Sequence, residues 1–167
     1  MRSYVIPFGF NITTIGSVRP CFFIQMVDHL MPSRNGQYKL IGGLVEEGET
    51  PKQAILRELS EEVPGWLDKV RNPMPIHENY CFGYEGVDSN GLFEIYKDSE
   101  IIIFGVYVDA GSISWKLYKE STTEGSPVCF DYVKIIYGTV PSQWVFENCY
   151  TECAKLARHL NTQIFRE

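Results

Sequence analysis

Three glutamates that stand close together in the sequence could hold a metal ion. Glu58, Glu61 and Glu62 are separated by three and one residues, a spacing that places all of their side chains on one face of an α-helix. Their negative charges repel one another, and they lie toward the predicted C-terminal end of the helix, where the helix dipole disfavours anions. A hard divalent cation such as Mg²⁺ would offset both costs, because it takes oxygen ligands. By itself this spacing leaves two interpretations open, a metal site and a solvated acidic helix face, and it favours the second.

The helix that carries these glutamates has a start and an end that are visible in the sequence. Thr50 is a favourable N-cap, Pro51 suits the first helical position, and Gln53 completes a capping box. Pro64 disfavours helical geometry in the residue before it. We therefore predict a helix from Pro51 to about Glu62, so that the glutamates occupy its last turns.

This segment resembles the Nudix box, which reads Gly, five residues, Glu, seven residues, then Arg-Glu-U-x-Glu-Glu-x-Gly-U, where U is a bulky apolar residue. The matching residues are Gly43, Glu49, Arg57, Glu58, Leu59, Glu61 and Glu62. The six fixed identities would arise by chance on the order of 10⁻⁷ times per start position. The segment departs from the pattern at Pro64, where the family has glycine, at Gly65, and at Ile41, where a proline is common. We expect this departure to change the path of the chain after the helix and to leave the glutamates in place.

The resemblance implies a role for each residue of the box. It implies Mg²⁺ as the metal, with Mn²⁺ as the alternative ion, and it implies that the metal ligands are Gly42 (through its backbone carbonyl), Glu58, Glu61 and Glu62. Glu49 and Arg57 are expected to form a salt bridge that orients the ligands and does not touch the substrate. We expect either Glu61 or Glu124 to act as the catalytic base. Glu124 lies in a predicted loop before a late strand, the context in which the family often places a carboxylate. The alternatives are an exposed loop glutamate at 124 and the weaker candidates Glu94, Glu100 and Glu120.

Three residues upstream of the box are candidates for substrate binding. Arg34 and Lys39 could contact phosphate, and Tyr38 could stack on a base. Each has a simpler explanation, which is surface charge for the two cations and core packing for the tyrosine.

The resemblance implies Mg²⁺-dependent hydrolysis of a pyrophosphate bond in a nucleoside diphosphate linked to another moiety. The products would be a nucleoside monophosphate and a phosphorylated remainder. One alternative is a Nudix-fold module that binds a nucleotide without turnover, which the complete set of box carboxylates disfavours. Another is a decapping enzyme acting on RNA 5′ ends, which the acidic composition disfavours. The box itself does not choose among ADP-ribose-like sugars, dinucleoside polyphosphates, nucleoside triphosphates and caps.

Composition sets the remaining expectations. The 167 residues, 44% hydrophobic, predict one domain spanning 1–167. A formal net charge of −6 argues against stable nucleic-acid binding, which requires neutralisation of phosphates by Lys and Arg. No apolar run approaches the ~20 residues of a membrane span. Five cysteines without a C-x-x-C pair indicate reduced thiols and a cytoplasmic location. We expect a homodimer in preference to a monomer.

The pattern along the chain predicts an α/β (α+β) fold, and the resemblance implies a Nudix-type α/β/α sandwich with a mixed central sheet. We predict strands at 2–8, 20–27, 37–41, 75–84, 92–96, 101–108, 113–118 and 128–137. A second helix is predicted from 141 to about 159. In the first strand, Tyr4, Ile6 and Phe8 should share one face.

Overall fold

The computed structural model of the chain describes residues 1–12, 15–16, 18–28, 34–70, 80–108 and 112–164. Half of the strand predicted at 75–84, residues 75–79, lies outside the described residues. Within the described part, the strands are β1 Arg2–Ile12, β2 Val18–Met26, β3 Tyr38–Lys39, β4 Ile41–Leu44, β5 Tyr80–Cys81, β6 Tyr84–Glu85, β7 Leu92–Lys97, β8 Ile101–Tyr107 and β9 Ser126–Asp131. The helices in the same part are α1 Pro51–Glu62, α2 Trp66–Val70, α3 Ser112–Ser121, α4 Tyr132–Tyr137, a 3₁₀ helix Pro141–Gln143 and α5 Glu147–Ile164.

The central sheet is mixed, as predicted. Strand β1 pairs in parallel with β8 and antiparallel with β2 and β4. Strand β2 also pairs antiparallel with β3 and β9, and β8 pairs antiparallel with β7. Because β8 occupies one edge of β1, the short strand β4 lies along the other edge. There Gly43 is opposite Ser3, and Gly42 is opposite Tyr4.

Each face of the sheet is covered by helices. Tyr4, Ile6 and Phe8 share one face, as predicted, and belong to a buried cluster that includes residues of α4 and α5. Val5 and Phe23 point to the other face, where the buried cluster includes residues of α1, α2 and α3. The resulting α/β/α sandwich confirms the predicted fold class, and it places the glutamate-bearing helix on the second face.

Helix α1 begins and ends where the sequence indicates. The Thr50 hydroxyl accepts a hydrogen bond from the backbone N–H of Gln53, and the Gln53 side chain accepts one from the N–H of Thr50. The last helical residue is Glu62. Gly65 then adopts a φ of 73°, and the chain turns into α2, a short helix that the sequence analysis did not predict.

The prediction of a strand at 113–118 was wrong, because these residues belong to helix α3. The alternating apolar residues suggested a strand, but Ile113 is 73% exposed, whereas Ser114 and Tyr118 are buried. These two positions lie one helical turn apart. The Tyr118 hydroxyl donates to the carbonyl of Ile24, and the Trp66 indole donates to the carbonyl of Ser114. Tertiary packing against β2 and α2 therefore overrides the local β preference.

The prediction of a strand at 128–137 was right only for residues 128–131. Strand β9 ends at Asp131, whose side chain caps α4 by accepting a hydrogen bond from the N–H of Lys134 at 2.9 Å. The helix predicted from 141 is divided into a 3₁₀ turn at Pro141–Gln143 and the longer α5. Among the helices that the structure describes, none combines the length and the apolar character needed to cross a bilayer.

Candidate active site

The last turn of α1 is tied to the loop that carries Glu124. The N–H of Thr123 donates to the carbonyl of Glu62 at 2.8 Å, and its hydroxyl donates to the carbonyl of Glu61 at 2.8 Å. These bonds satisfy backbone carbonyls that would otherwise lack partners at the helix end. They also bring Glu124 close to the Glu62 side chain, which the sequence could predict only as a family tendency.

Glu62 is a buried carboxylate with few compensating partners. Its side chain is 2% exposed. The backbone N–H of Gly42 donates to Oε2 at 3.0 Å, and Lys39 Nζ lies 3.4 Å from Oε1. Burial raises the pKa of Glu62 to about 8, with a further contribution from the neighbouring Glu124 carboxyl. Lys39 Nζ is also 3.9 Å from Glu124 Oε2, so one ammonium group serves two carboxylates.

Gly43 allows the Glu58 carboxylate to approach the sheet, and Gly42 allows β4 to approach β1. A Cβ at Gly43 would lie 2.6 Å from Glu58 Oε1. Gly42 adopts a φ of 146°, and a Cβ there would lie 2.1 Å from the carbonyl oxygen of Ser3. Glu58 and Glu62 therefore lie against consecutive residues of the same strand, which brings the two carboxylates together.

Arg57 organises the remaining carboxylates of the box. Its guanidinium forms a bidentate pair with Glu49, through Nε to Oε2 at 3.2 Å and Nη2 to Oε1 at 2.8 Å. Nη2 also donates to the carbonyl of Leu44 at 3.0 Å. Nη1 donates to Glu58 Oε1 at 3.2 Å and to Glu61 Oε2 at 3.4 Å. The hydrogen bonds from Arg57 lower the pKa of Glu49, so this pair joins the loop to the helix in its charged form.

The predicted ligands Gly42, Glu58, Glu61 and Glu62 offer oxygen atoms, which fit a hard divalent cation. Within the described part of the chain, no three acidic, histidine or cysteine side chains converge on a common point. Glu58 and Glu61 face Arg57, whereas Glu62 faces Lys39. All of these donors are oxygens, and the positions against which Glu58 and Glu62 lie carry no side chain. This combination suits Mg²⁺, which prefers carboxylate and carbonyl oxygens.

A pocket of about 310 Å³ adjoins the glycine pair. It is lined by Arg2, Tyr4, Val27, Arg34, Lys39, Gly42, Gly43, Val145 and Phe146. Two of the three predicted substrate-binding residues, Arg34 and Lys39, are among them. Tyr38 is not, because successive residues of a strand point to opposite faces. Its ring packs against Phe130 and Trp144, with centroids 4.8 and 5.7 Å away.

Sequence reasoning missed three residues near this site. Arg2 and Phe146 line the pocket but are far from the box in the sequence. Gln25 is 0% exposed and lies opposite Lys39 in the sheet, so the two side chains share a face. Neither polar atom of its amide has a hydrogen-bond partner among the described residues. The sequence did contain a signal for Gln25, because it is the one polar residue inside the apolar run PCFFIQMV at 20–27.

The sequence profile of the NUDIX domain matches residues 19–110, which is more than half of the chain. The chain belongs to the Nudix family. This Nudix protein is accordingly a hydrolase that acts on phosphoric anhydride bonds. Its family uses divalent metals and acts on small nucleotide derivatives. Among curated proteins, no sequence matches it significantly.

Solved structures share its fold over nearly the whole chain. A mutT/nudix family protein from Listeria innocua has a TM-score of 0.59 and 13% identity, with 99% of this chain and 96% of that chain covered. The Nudix hydrolase RenU from M. smegmatis has a TM-score of 0.51 and 11% identity, with coverage of 98% and 86%. A NUDIX hydrolase from Listeria monocytogenes has a TM-score of 0.51 and 12% identity, with coverage of 100% and 98%. At these identities the likeness extends to the fold alone.

Proposed function

We propose that this Nudix hydrolase cleaves, with Mg²⁺, a pyrophosphate bond in a nucleoside diphosphate linked to another moiety. The products are a nucleoside monophosphate and a phosphorylated remainder. One observation carries the proposal: Glu58 and Glu62 lie against consecutive glycines of β4, beside a pocket lined by cationic side chains. Carboxylates to bind a metal and cations to bind phosphate thus adjoin each other.

The residues proposed to hold the metal are Glu58 and Glu62, with Glu61 and the backbone carbonyl of Gly42. When bound, the metal supplies neutralisation of phosphate charge and activation of water for attack. Glu62 must lose its proton to act as a ligand, and its raised pKa makes the ion compete with that proton. Arg57, held by Glu49, keeps Glu58 oriented through the 3.2 Å contact.

We propose that one of two exposed carboxylates, Glu61 or Glu124, accepts the proton of the attacking water. Glu61 is 58% exposed and Glu124 is 62% exposed, so both are accessible to a water molecule. Glu61 contacts Arg57 at 3.4 Å, whereas Glu124 lies 3.9 Å from Lys39. Comparing Glu61→Gln with Glu124→Gln separates the two. The variant that lacks the base should lose the acidic limb of the pH–rate profile, while the other should keep it. A fall in kcat does not separate the two, because Glu61→Gln also removes a proposed metal ligand.

A substrate panel tests the proposed reaction directly. Wild type, Glu62→Gln and the control Glu85→Gln, which changes an exposed carboxylate in β6, are incubated with Mg²⁺ and with ADP-ribose-like sugars, dinucleoside polyphosphates, nucleoside triphosphates and caps. Products are identified by mass spectrometry. We expect a nucleoside monophosphate from wild type and from Glu85→Gln, and almost none from Glu62→Gln. Equal turnover by Glu62→Gln, or binding of nucleotide with no turnover by any of the three, would contradict the proposal.

A further inference from the structure

We infer that Arg2 and Arg34, held around the ring of Phe146, form an anion subsite that selects substrates carrying a second negatively charged group beyond the scissile pyrophosphate. The inference rests on the proposed function and specifies its substrate class. The selected compounds are nucleoside diphosphates whose attached moiety is itself phosphorylated, in preference to those with a neutral sugar.

The three residues come from separate parts of the fold. Arg2 lies at the start of β1, Arg34 lies before β3, and Phe146 precedes α5. The guanidinium carbon of Arg2 lies 5.3 Å from the centroid of the Phe146 ring, and that of Arg34 lies 5.6 Å from it. Arg34 also donates to the carbonyl of Val145 at 3.4 Å. Cation–π contacts thus hold two like charges near one ring.

Neither arginine forms an ion pair with a carboxylate of the described residues. Within the described residues, no carboxylate oxygen lies within 4.0 Å of the Arg2 or Arg34 side chain, whereas Lys39 is paired with Glu62 and Glu124. The two guanidinium groups place two positive charges beside one ring, in a chain whose formal net charge is −6. Guanidinium groups present planar sets of donors that match phosphate oxygens. An anionic ligand would therefore complete the charge balance of this pocket.

The position of the pocket determines which part of a substrate can reach it. Gly42 and Gly43 line its wall and also contact the carboxylates proposed to hold the metal. A pyrophosphate at those carboxylates would therefore extend its attached group toward Arg2 and Arg34. A volume of about 310 Å³ is at the lower end for ligand pockets, which favours a compact group. The Phe146 ring is already contacted by both guanidinium groups and by Tyr4, at 5.8 Å, so it is poorly placed to stack on a base.

The test compares two substrates that differ by one phosphate group, ADP-ribose and its 1″-phosphate. The value of kcat/KM is measured for both with wild type, Arg2→Gln, Arg34→Gln, Arg34→Lys and the control Arg158→Gln, an exposed arginine of α5. We expect wild type and the control to prefer the phosphorylated substrate about tenfold, because a charged hydrogen bond contributes this much. Arg2→Gln and Arg34→Gln should remove most of that preference by raising KM for the phosphorylated substrate. Arg34→Lys should restore part of it. No preference in wild type, or an equal loss for both substrates, would overturn the inference.

A second measurement separates this inference from the proposed reaction. Binding of inorganic pyrophosphate to the metal-free protein is measured by calorimetry, after melting temperatures confirm that each variant is folded. If no substrate is hydrolysed, the proposed function fails. The subsite would still be supported if Arg2→Gln and Arg34→Gln each weaken pyrophosphate binding about tenfold and Arg158→Gln does not. Unchanged affinity in both variants would overturn the subsite on its own.

Discussion

The carboxylates around Arg57 and the buried carboxylate of Glu62 differ in how their charge is compensated. In the first group, one guanidinium, that of Arg57, serves Glu49, Glu58 and Glu61, and it lowers the pKa of Glu49. In the second group, Glu62 is buried with one shared ammonium group, and its pKa is raised to about 8. The first group stabilises the loop without any ligand. The second group is costly to the fold when ionised, and an added cation would offset that cost.

The largest predicted effect comes from Glu62→Gln. Glutamine keeps the shape of the side chain and can still accept a hydrogen bond from the N–H of Gly42, but it cannot serve as an anionic metal ligand. We expect hydrolysis to fall more than about a hundredfold, since loss of groups that merely orient a ligand already costs 10–100-fold. At a pH above the raised pKa of Glu62, the metal-free melting temperature should not fall, because a buried charge has been removed. A large loss of stability would show that the site is structural.

Arg57→Lys should have the next largest effect, since it breaks the first group. Lysine keeps the positive charge but lacks the planar set of donors that pairs with Glu49 in two bonds and also reaches Glu58. We expect kcat/KM to fall by 10–100-fold, together with a lower melting temperature. Lys52→Gln, which breaks the 3.2 Å pair with Asp88 away from the site, is the control and should change neither quantity appreciably. Full activity of Arg57→Lys would contradict the orienting role.

Gly43→Ala should give a smaller effect that is confined to metal binding. The new Cβ would lie 2.6 Å from Glu58 Oε1, the end of a flexible side chain that can move away. We expect a metal affinity about tenfold weaker, comparable with the loss of an orienting contact, and a melting temperature close to that of wild type. Calorimetric titration with Mg²⁺ measures the first quantity. An unchanged affinity would mean that Glu58 need not approach β4.

The stability of the metal-free protein should also depend on pH. The folded pKa of Glu62, about 8, lies above its unfolded value of 4.5, so the folded chain binds more protons between these two values. Its contribution to the free energy of unfolding is therefore full below pH 4.5 and is lost as the pH rises toward about 8. The lowered pKa of Glu49 has the opposite sign, and its contribution is lost as the pH falls below the unfolded value of 4.5.

Melting temperatures measured across this range check the sign. Wild type and Glu85→Gln should lose stability as the pH rises toward 8, and Glu62→Gln should lose less. Added Mg²⁺ should reverse the loss in wild type. Equal slopes for wild type and Glu62→Gln would contradict the assignment of the raised pKa to this carboxylate.

Local signals were sufficient for the part of the site that lies on α1. Thr50, Pro51 and Gln53 determine where the helix starts, and Pro64 determines where it ends. The glutamate spacing did not show that Glu61 is exposed beside Arg57 whereas Glu62 is buried beside Lys39. The face of β1 that Tyr4, Ile6 and Phe8 share was also predictable, because successive side chains of a strand point to opposite faces. These features depend on the backbone geometry of a single element, which the sequence encodes directly.

Contacts between distant segments could not be predicted in this way. The segment around Tyr118 is helical because the ring and hydroxyl of this residue pack against β2. No local pattern in the sequence indicates that partner. Arg2 and Phe146 meet only because β1 and the segment before α5 border the same pocket. Tyr38 was a candidate for stacking on a base, with core packing as the alternative, and the alternation of strand β3 turns it into the core.

Binding of Mn²⁺, followed by electron paramagnetic resonance at a pH above the raised pKa of Glu62, tests the central claim most directly. The claim is that Glu58 and Glu62 hold the metal against the glycines of β4. It predicts that wild type and Glu85→Gln bind Mn²⁺ with equal affinity, and that Glu62→Gln binds it at least about tenfold more weakly. Equal Mn²⁺ affinity in wild type and Glu62→Gln would contradict the claim.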